Sequence, residues 1–581
     1  MGANDMMRGK MMAEYDLVVR DGQVIDGSGS TAVRADVAVN SGRISAIGRN
    51  LGRGRQEINA EGHVVTPGFI DGHTHMDAQL FWDSFGTPSV WHGVTTVVMG
   101  NCGFTIAPAS SDNKHLVVRS IERAEDISGE AMAAGIDWTW STFAEYLDAV
   151  DRRPKAINYA GYVGHSALRT WAMGERAFSE TASEEDLAVM RRELTSALDA
   201  GAIGFSTSRT LHETMDDRPV ASRLASWEEV VDLVGVLGQR GSGIFQLANE
   251  IAVGSSDPVI RQEASERLYQ LAVSTRVPIT FGVQPASSRH YLLDVAERAV
   301  RAGGAMFGQT NSRGICNVWS WATQTPFDQI PEWVELRSRP LGEQRQLLSD
   351  PAVRDLLVSA THYSNFGHSV GAEAPPPDYE RLMLLDEPLP PHQTIADIAR
   401  SEGLDPVEFI IQRGVETDFA QFYLQPLVPD TEDDLLTAMR HPLSVMTFSD
   451  SGAHVSQIVD SSIHTHLLGY WVRQRGIMTL EEAVRMITSV PASAFGFTDR
   501  GLVKEGLVAD LNIIDPDTIG PAMPEIGHDL PSGACRLKQK SYGILATIVS
   551  GQIVTRDAEP TGSTPGHLLR GPFARSQMPS A

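Results

Sequence analysis

The stretch "GFIDGHTHMDAQ", residues 68–79, closes an apolar run with two histidines one residue apart, His73 and His75, set between Asp71 and Asp77. In an extended chain residues i and i+2 face the same side, so both imidazoles can be aimed at one point. The tripeptide by itself decides nothing, because histidines at a strand end are often incidental. Its weight comes from the similar runs that follow: "TTVVMGNC" (95–102), "NYAGYVGH" (158–165), "GAIGFSTSR" (201–209), "GIFQLANE" (243–250), "PITFGVQ" (278–284), "AMFGQTNSR" (305–313) and "SVMTFSDSGAH" (444–454). Each is apolar and ends in polar residues. Between several of them lie runs such as "EEDLAVMRRELTSALDAG" and "YLLDVAERAVRAGG", with apolar residues at helical spacing and a closing Gly. This alternation predicts an α/β fold built on a (β/α)8 TIM-like barrel, with the polar strand tips gathered at the C-terminal mouth, where barrel enzymes keep their chemistry.

Outside the barrel the texture changes. From Tyr15 the runs "YDLVVRDGQVIDG", "ADVAVNSGRISAIG" and "QEINAEGHVVTPG" read as short strands punctuated by turn residues, and the same texture returns in "GLVKEGLVADLNIIDPDT" and "YGILATIVSGQIVTRD". Neither piece has enough strands to bury a face alone, so both chain termini are expected to meet in one small β-sandwich domain. The expected division is a mobile tail over 1–13, a β-domain from 14–66 and 499–558, a barrel over 67–498 and a C-terminal tail over 559–581. Residues 318–440 are too many for a plain crossover and predict a helical lid or rim over the barrel mouth.

Size and composition narrow the function. A chain of 581 residues with 42% hydrophobic and 21% charged residues is a globular protein of more than one core, and no run of apolar residues is long enough to cross a membrane. A formal net charge of -25 disfavours nucleic acid and anionic membranes as partners and leaves a small molecule as the expected one, with a homo-oligomer open. Cys102, Cys316 and Cys535 are odd in number and far apart, which speaks against a disulfide framework and for the cytoplasm. The N-terminus lacks the apolar core of a signal peptide.

Two imidazoles aimed at one point suit a divalent ion such as zinc, and a hydrolytic site needs a carboxylate beside them. Asp450 ends the eighth strand, which adjoins the first in a closed barrel. Cys102 follows "VVMG" at a neighbouring strand tip, where a cation would favour its thiolate, although a buried structural cysteine fits the same position. Arg209 and His212 in "STSRTLHET" are candidates to hold a substrate carboxylate, with an ion pair as the ordinary alternative for the arginine. His165 and His454 stand at strand tips as substrate-binding or supporting residues. His464 and His466 repeat the His-X-His spacing but fall in a helical run, where i and i+2 diverge. "GHSVG" (367–371) matches a nucleophile elbow in letters only, because no strand precedes it and no helix follows.

The order "VTPGFIDGHTH", "SDSGAH" and "LVKEGLVADLNIID", with "GVTTVVMGNCGFTIAP", "GYVGHSALR" and "GAIGFSTSR", resembles the amidohydrolase superfamily and its N-acyl-D-amino-acid deacylase (D-aminoacylase) branch over about residues 14–560. The resemblance implies a zinc hydrolase with His73, His75 and Asp450 at one metal position and Cys102 as a ligand at another. It also implies histidines at the ends of the fifth and sixth strands, where this chain has Gln246 and Gln284. Amides are poor zinc ligands, so one ion is favoured over two; Glu250 is a weaker candidate to replace a missing ligand. The expected activity is hydrolysis of a linear, non-peptide amide C–N bond, that of an N-acyl (D-)amino acid or a related amide. The ion would acidify a water, and Asp450 would take its proton and pass it to the leaving nitrogen. A cyclic amide or carbamate substrate is the alternative, and an inactive metal-binding scaffold a lesser one.

Overall fold

The computed structural model describes residues 13–283, 291–371, 373–428 and 430–576. Eight parallel strands form the barrel: β1 (Phe69–Asp71), β2 (Val94–Met99), β3 (Asn158–Gly164), β4 (Gly204–Ser208), β5 (Ile244–Ala248), β6 (Ile279–Gly282), β7 (Met306–Thr310) and β8 (Ser444–Met446), hydrogen-bonded to one another in that order. The runs are rich in β-branched and aromatic residues and are buried on both faces, as a sheet covered by helices requires. Closure is made at the mouth. Beyond β8 the chain continues as Phe448–Ser451, which pairs in parallel with His73–Thr74 beyond β1. The first and last strands therefore meet through the segments that carry His73, His75 and Asp450.

Outer helices start where their caps say they should. Ser183 and Asp186 form a capping box for Glu184–Asp199, Ser226 caps Trp227–Arg240, and Asp257 with Pro258 opens Pro258–Thr275. Leu194, Leu198, Leu233 and Leu237 turn inward onto the barrel.

Strands from both ends of the chain form one sheet. Leu511–Ile514 pairs with Val64–Pro67 on one side and with Ile544–Val549 on the other, and Tyr15–Val24 with Val33–Asn40 completes its N-terminal half. Leu17, Val19, Val37 and Val39 pack with Leu511, Ile513 and Ile548 in one core.

Between β7 and β8 a separate core forms around Trp319, Trp321, Phe327 and Trp333. A three-stranded sheet, Cys316–Ser320, Phe422–Pro426 and Met383–Leu385, supports helices that include Pro351–Tyr363 and Pro406–Glu416. The insertion reaches the mouth through Arg123 Nε, 2.8 Å from Glu373, and through Gly371, where a Cβ would stand 3.7 Å from the His454 ring.

The residues after Ala558, expected as a tail, are not one throughout. Tyr159 N–H donates to the His567 carbonyl, Leu569 N–H to the Tyr159 carbonyl and Gly571 N–H to the Gly201 carbonyl. Phe573 meets Phe497 edge to face at 5.6 Å. With Phe495, these residues close the barrel floor beneath Ile70, Val98 and Ile203. Gly and Pro made the segment read as loop, but its apolar residues have a surface to cover.

Candidate metal centre

At the mouth the ligand atoms of His73, His75 and Cys102 lie within 4.8 Å of one another, and all three residues are buried. Asp450 Oδ1 is 3.1 Å from His73 Nε2 and 3.4 Å from His75 Nε2. Cys102 Sγ is 3.4 Å from the same His73 nitrogen. Nitrogen, thiolate and carboxylate donors converging in one buried site are a set that suits zinc.

Three residues of the site carry backbone strain. Cys102 (φ 55°), Asp450 (φ 52°) and His454 (φ 46°) all adopt the left-handed conformation that side chains avoid. The Cys102 turn is held by Gln246, whose Oε1 accepts the Cys102 N–H at 2.7 Å, and by Ser206, which accepts the Gly103 N–H. Gln246 sits in β5 between Ser206 and Thr280 of the neighbouring strands. It therefore supports the cysteine rather than lying far from the site.

Charges in the site are set by burial and by each other. Burial alone would raise the Asp450 carboxyl, but His73 and His75 beside it hold it well below the usual range. Burial pushes the Cys102 thiol up, with Glu125 and Asp450 adding to the effect, so the thiolate needs a cation close by. His73 Nδ1 faces Gln309 Oε1 at 2.7 Å, which makes that nitrogen the protonated one and leaves Nε2 free to bind an ion.

The remaining candidates sort by what already occupies them. His454 is buried at the mouth with Nε2 3.6 Å from Glu125 Oε2. His212 lies on the wall beside Phe104, its Nδ1 2.9 Å from Ser208 Oγ, and burial lowers its pKa to about 3. Both ring nitrogens of His165 are already partnered: its Nε2 is 2.9 Å from Glu229, its Nδ1 is 2.8 Å from Thr207 Oγ1, and the ring is fully buried. Arg209 is in the ion-paired alternative, with Nε donating to Glu250 at 3.0 Å and Nη1 to the Ala225 carbonyl. Glu250 also takes Arg267 at 2.6 Å, so it serves two arginines and not the metal cluster. Gln284 lies outside the described residues. His464 stacks on Phe69, His466 Nδ1 meets Ser312 Oγ at 3.1 Å, and Ser369 Oγ donates to the Ala374 carbonyl in an irregular segment.

Sequence reasoning passed over two residues of the site, Gln309 and Glu125. Gln309 belongs to the tip of β7, and its place there was the available signal. Glu125 had none, because "IERAEDISG" (121–129) reads as a charged helix end.

The barrel, the closing strands and this donor set define a class. Residues 56–555 match the model of the amidohydrolase family, and the chain belongs to that family. Among curated relatives it is similar to the D-aminoacylase of Alcaligenes xylosoxydans xylosoxydans, 27% identical over 96% of this chain and 97% of the relative. It is also similar to the N-acyl-D-aspartate deacylase of the same organism, 29% identical over 96% and 95%. The crystal structure of N-acyl-D-glutamate deacylase from Bordetella bronchiseptica, complexed with zinc and a phosphonate inhibitor, superposes with a TM-score of 0.64 at 24% identity, covering 96% of this chain and 100% of that one. That likeness shows the fold. Among the described residues no helix is long and apolar enough to cross a membrane.

Proposed function

We propose that this protein is a zinc-dependent deacylase of N-acyl amino acids, with preference for the D-configuration. One observation carries the reading: His73, His75 and Cys102 converge within 4.8 Å at the rim where Asp450 arrives from the closing strand. The stereochemistry rests on the relatives alone, which are named as deacylases of N-acyl-D-amino acids. One ion is favoured, since Gln246 is spent on the Cys102 N–H. Three free cysteines fit a reducing compartment, and we place the protein in the cytoplasm.

An ion held by His73, His75, Cys102 and Asp450 would supply an acidified water and a charge to polarise the scissile carbonyl. Asp450 supplies the proton traffic. Its Oδ1 is turned to both imidazoles, and its second oxygen can take a proton from the attacking water and deliver it to the departing nitrogen. Without that delivery an amine is a poor leaving group. His73 keeps its ring orientation through Gln309, so the donor nitrogen stays pointed at the site. The insertion lowers solvent access on the His454 side, because Gly371 stands against that ring.

A second reading, hydrolysis of a cyclic amide or a carbamate, is favoured by Arg209, whose charge is already paired with Glu250 and whose Nη1 donates to a backbone carbonyl. One experiment separates the two. Protein stripped with a chelator and reloaded with zinc is assayed for amine release from N-acetyl-D- and N-acetyl-L-amino acids, and for opening of cyclic amides and cleavage of carbamates. Zinc-dependent release from the D-series supports the proposal; stoichiometric zinc with no release from any N-acyl amino acid rejects it.

A further inference from the structure

Glu125 lies 50 residues downstream of His75 in the chain and is 2% exposed. It follows the helix Lys114–Glu122, its N–H donates to the Ile121 carbonyl at 2.8 Å, and its own carbonyl accepts the His454 N–H at 2.5 Å. Two backbone hydrogen bonds therefore hold it at the mouth. Among the described residues its side chain has no Lys or Arg partner, and its two ion-pair contacts there are to histidines, His75 Nδ1 at 3.6 Å and His454 Nε2 at 3.6 Å. Both contacts are made by Oε2, a buried oxygen without a hydrogen bond, and His75 Nδ1 is likewise buried and without one. Two orphaned polar atoms of complementary kind thus face each other. A buried polar oxygen left so is unfavourable unless something nearby repays it.

The comparison with His73 shows what repays it. The two rings are equivalent in that each turns Nε2 toward Asp450 Oδ1. His73 has Gln309 Oε1 behind its Nδ1, and the group behind the Nδ1 of His75 is Glu125. A ring whose Nδ1–H is held by an outer oxygen presents Nε2 as a lone-pair donor in a defined direction, and an outer carboxylate also raises the basicity of that donor. We propose that Glu125 is the positioning residue for the His75 side of the metal centre, accepting its Nδ1–H and steadying His454 on the same oxygen. This rests on the metal reading above and assigns no ligand bond to Glu125.

The test measures metal affinity, not turnover. Zinc and cobalt dissociation constants are taken by chelator competition for the wild type, Glu125→Gln and Glu125→Ala, with metal equivalents at saturation and the cobalt absorption spectrum. Loss of an outer partner predicts about 10- to 100-fold weaker binding for the alanine variant. The glutamine variant should lose less, about 3- to 10-fold, because its amide oxygen still accepts the Nδ1–H without the charge. Saturation equivalents and the ligand-field bands should match the wild type in both. Dissociation constants within twofold of wild type overturn the proposal, and so does loss of an equivalent, which would make Glu125 a ligand. If the alanine variant does not fold, the glutamine variant alone decides. Wild-type protein that binds no ion removes the metal reading itself, a result distinct from unchanged affinity in the variants.

Discussion

Replacing Asp450 with asparagine tests the proton-transfer step most directly. The substitution keeps the shape of the side chain, and asparagine is among the residues that best tolerate the left-handed backbone (φ 52°) found there, so the closing strand is not disturbed. What changes is charge and basicity at an oxygen 3.1 Å from His73 Nε2 and 3.4 Å from His75 Nε2. A positioned acid–base group contributes about 10²- to 10⁴-fold in rate, which is about 2.7–5.4 kcal/mol of barrier. With zinc well above its dissociation constant, kcat should fall by about that factor while KM changes little, because the group acts in the transition state. Amine release is followed with an amine-reactive dye, and bound zinc is counted by mass spectrometry on the same samples. Asp450→Asn protein that holds its full zinc and turns over within tenfold of wild type would refute the role, leaving Asp450 as a ligand without a part in proton transfer.

Glu229 is buried and serves both His165 and the fully buried Arg169. Glu229→Gln leaves that arginine without its countercharge and should cost about 3–5 kcal/mol of stability, read as a lower urea midpoint with metal content per folded molecule unchanged. Phe573→Ala removes the edge-to-face partner of Phe497 on the barrel floor. The side chain is only partly buried, so the loss should be about 2 kcal/mol, under that of a full core phenylalanine, and an unchanged melting temperature would show that the segment does not brace the barrel. Burial lowers the pKa of His92 from 6.5 to about 3. Its folded value is depressed, so below pH 6.5 the unfolded chain takes up a proton that the folded one refuses, and stability falls as pH drops toward about 3. On metal-free protein, going from about pH 7.5 to 5 should lower the urea midpoint of wild type more than that of His92→Asn; equal shifts would contradict the burial argument.

Local periodicity made much of the molecule legible. Each barrel strand is a short apolar run that stops at polar residues, and several outer helices carry their own caps, so the strand–helix alternation can be counted before any contact is known. His73 and His75 were visible because a period of two puts them on one side, and Asp450 because closing a barrel makes the last strand a neighbour of the first. The paired β-texture at the two ends was visible because half a sheet cannot stand alone.

Other features carried no local sign. The residues near Phe573 looked like a tail, because nothing in their own pattern says that the floor of a barrel awaits them. Arg209 and His165 sit where substrate contacts are expected, and only the packing of Glu250 and Glu229 against them revealed their occupation.

The amino-acid order by itself determined the barrel, the strand tips and the donor types, since these follow from backbone periodicity and from the coordination preferences of imidazole, thiolate and carboxylate. Which side chains stand behind those donors was decided in three dimensions. Gln246 under the Cys102 turn, Gln309 behind His73 and Glu125 behind His75 come from distant parts of the chain, and the burial of a polar group depends on everything that folds around it.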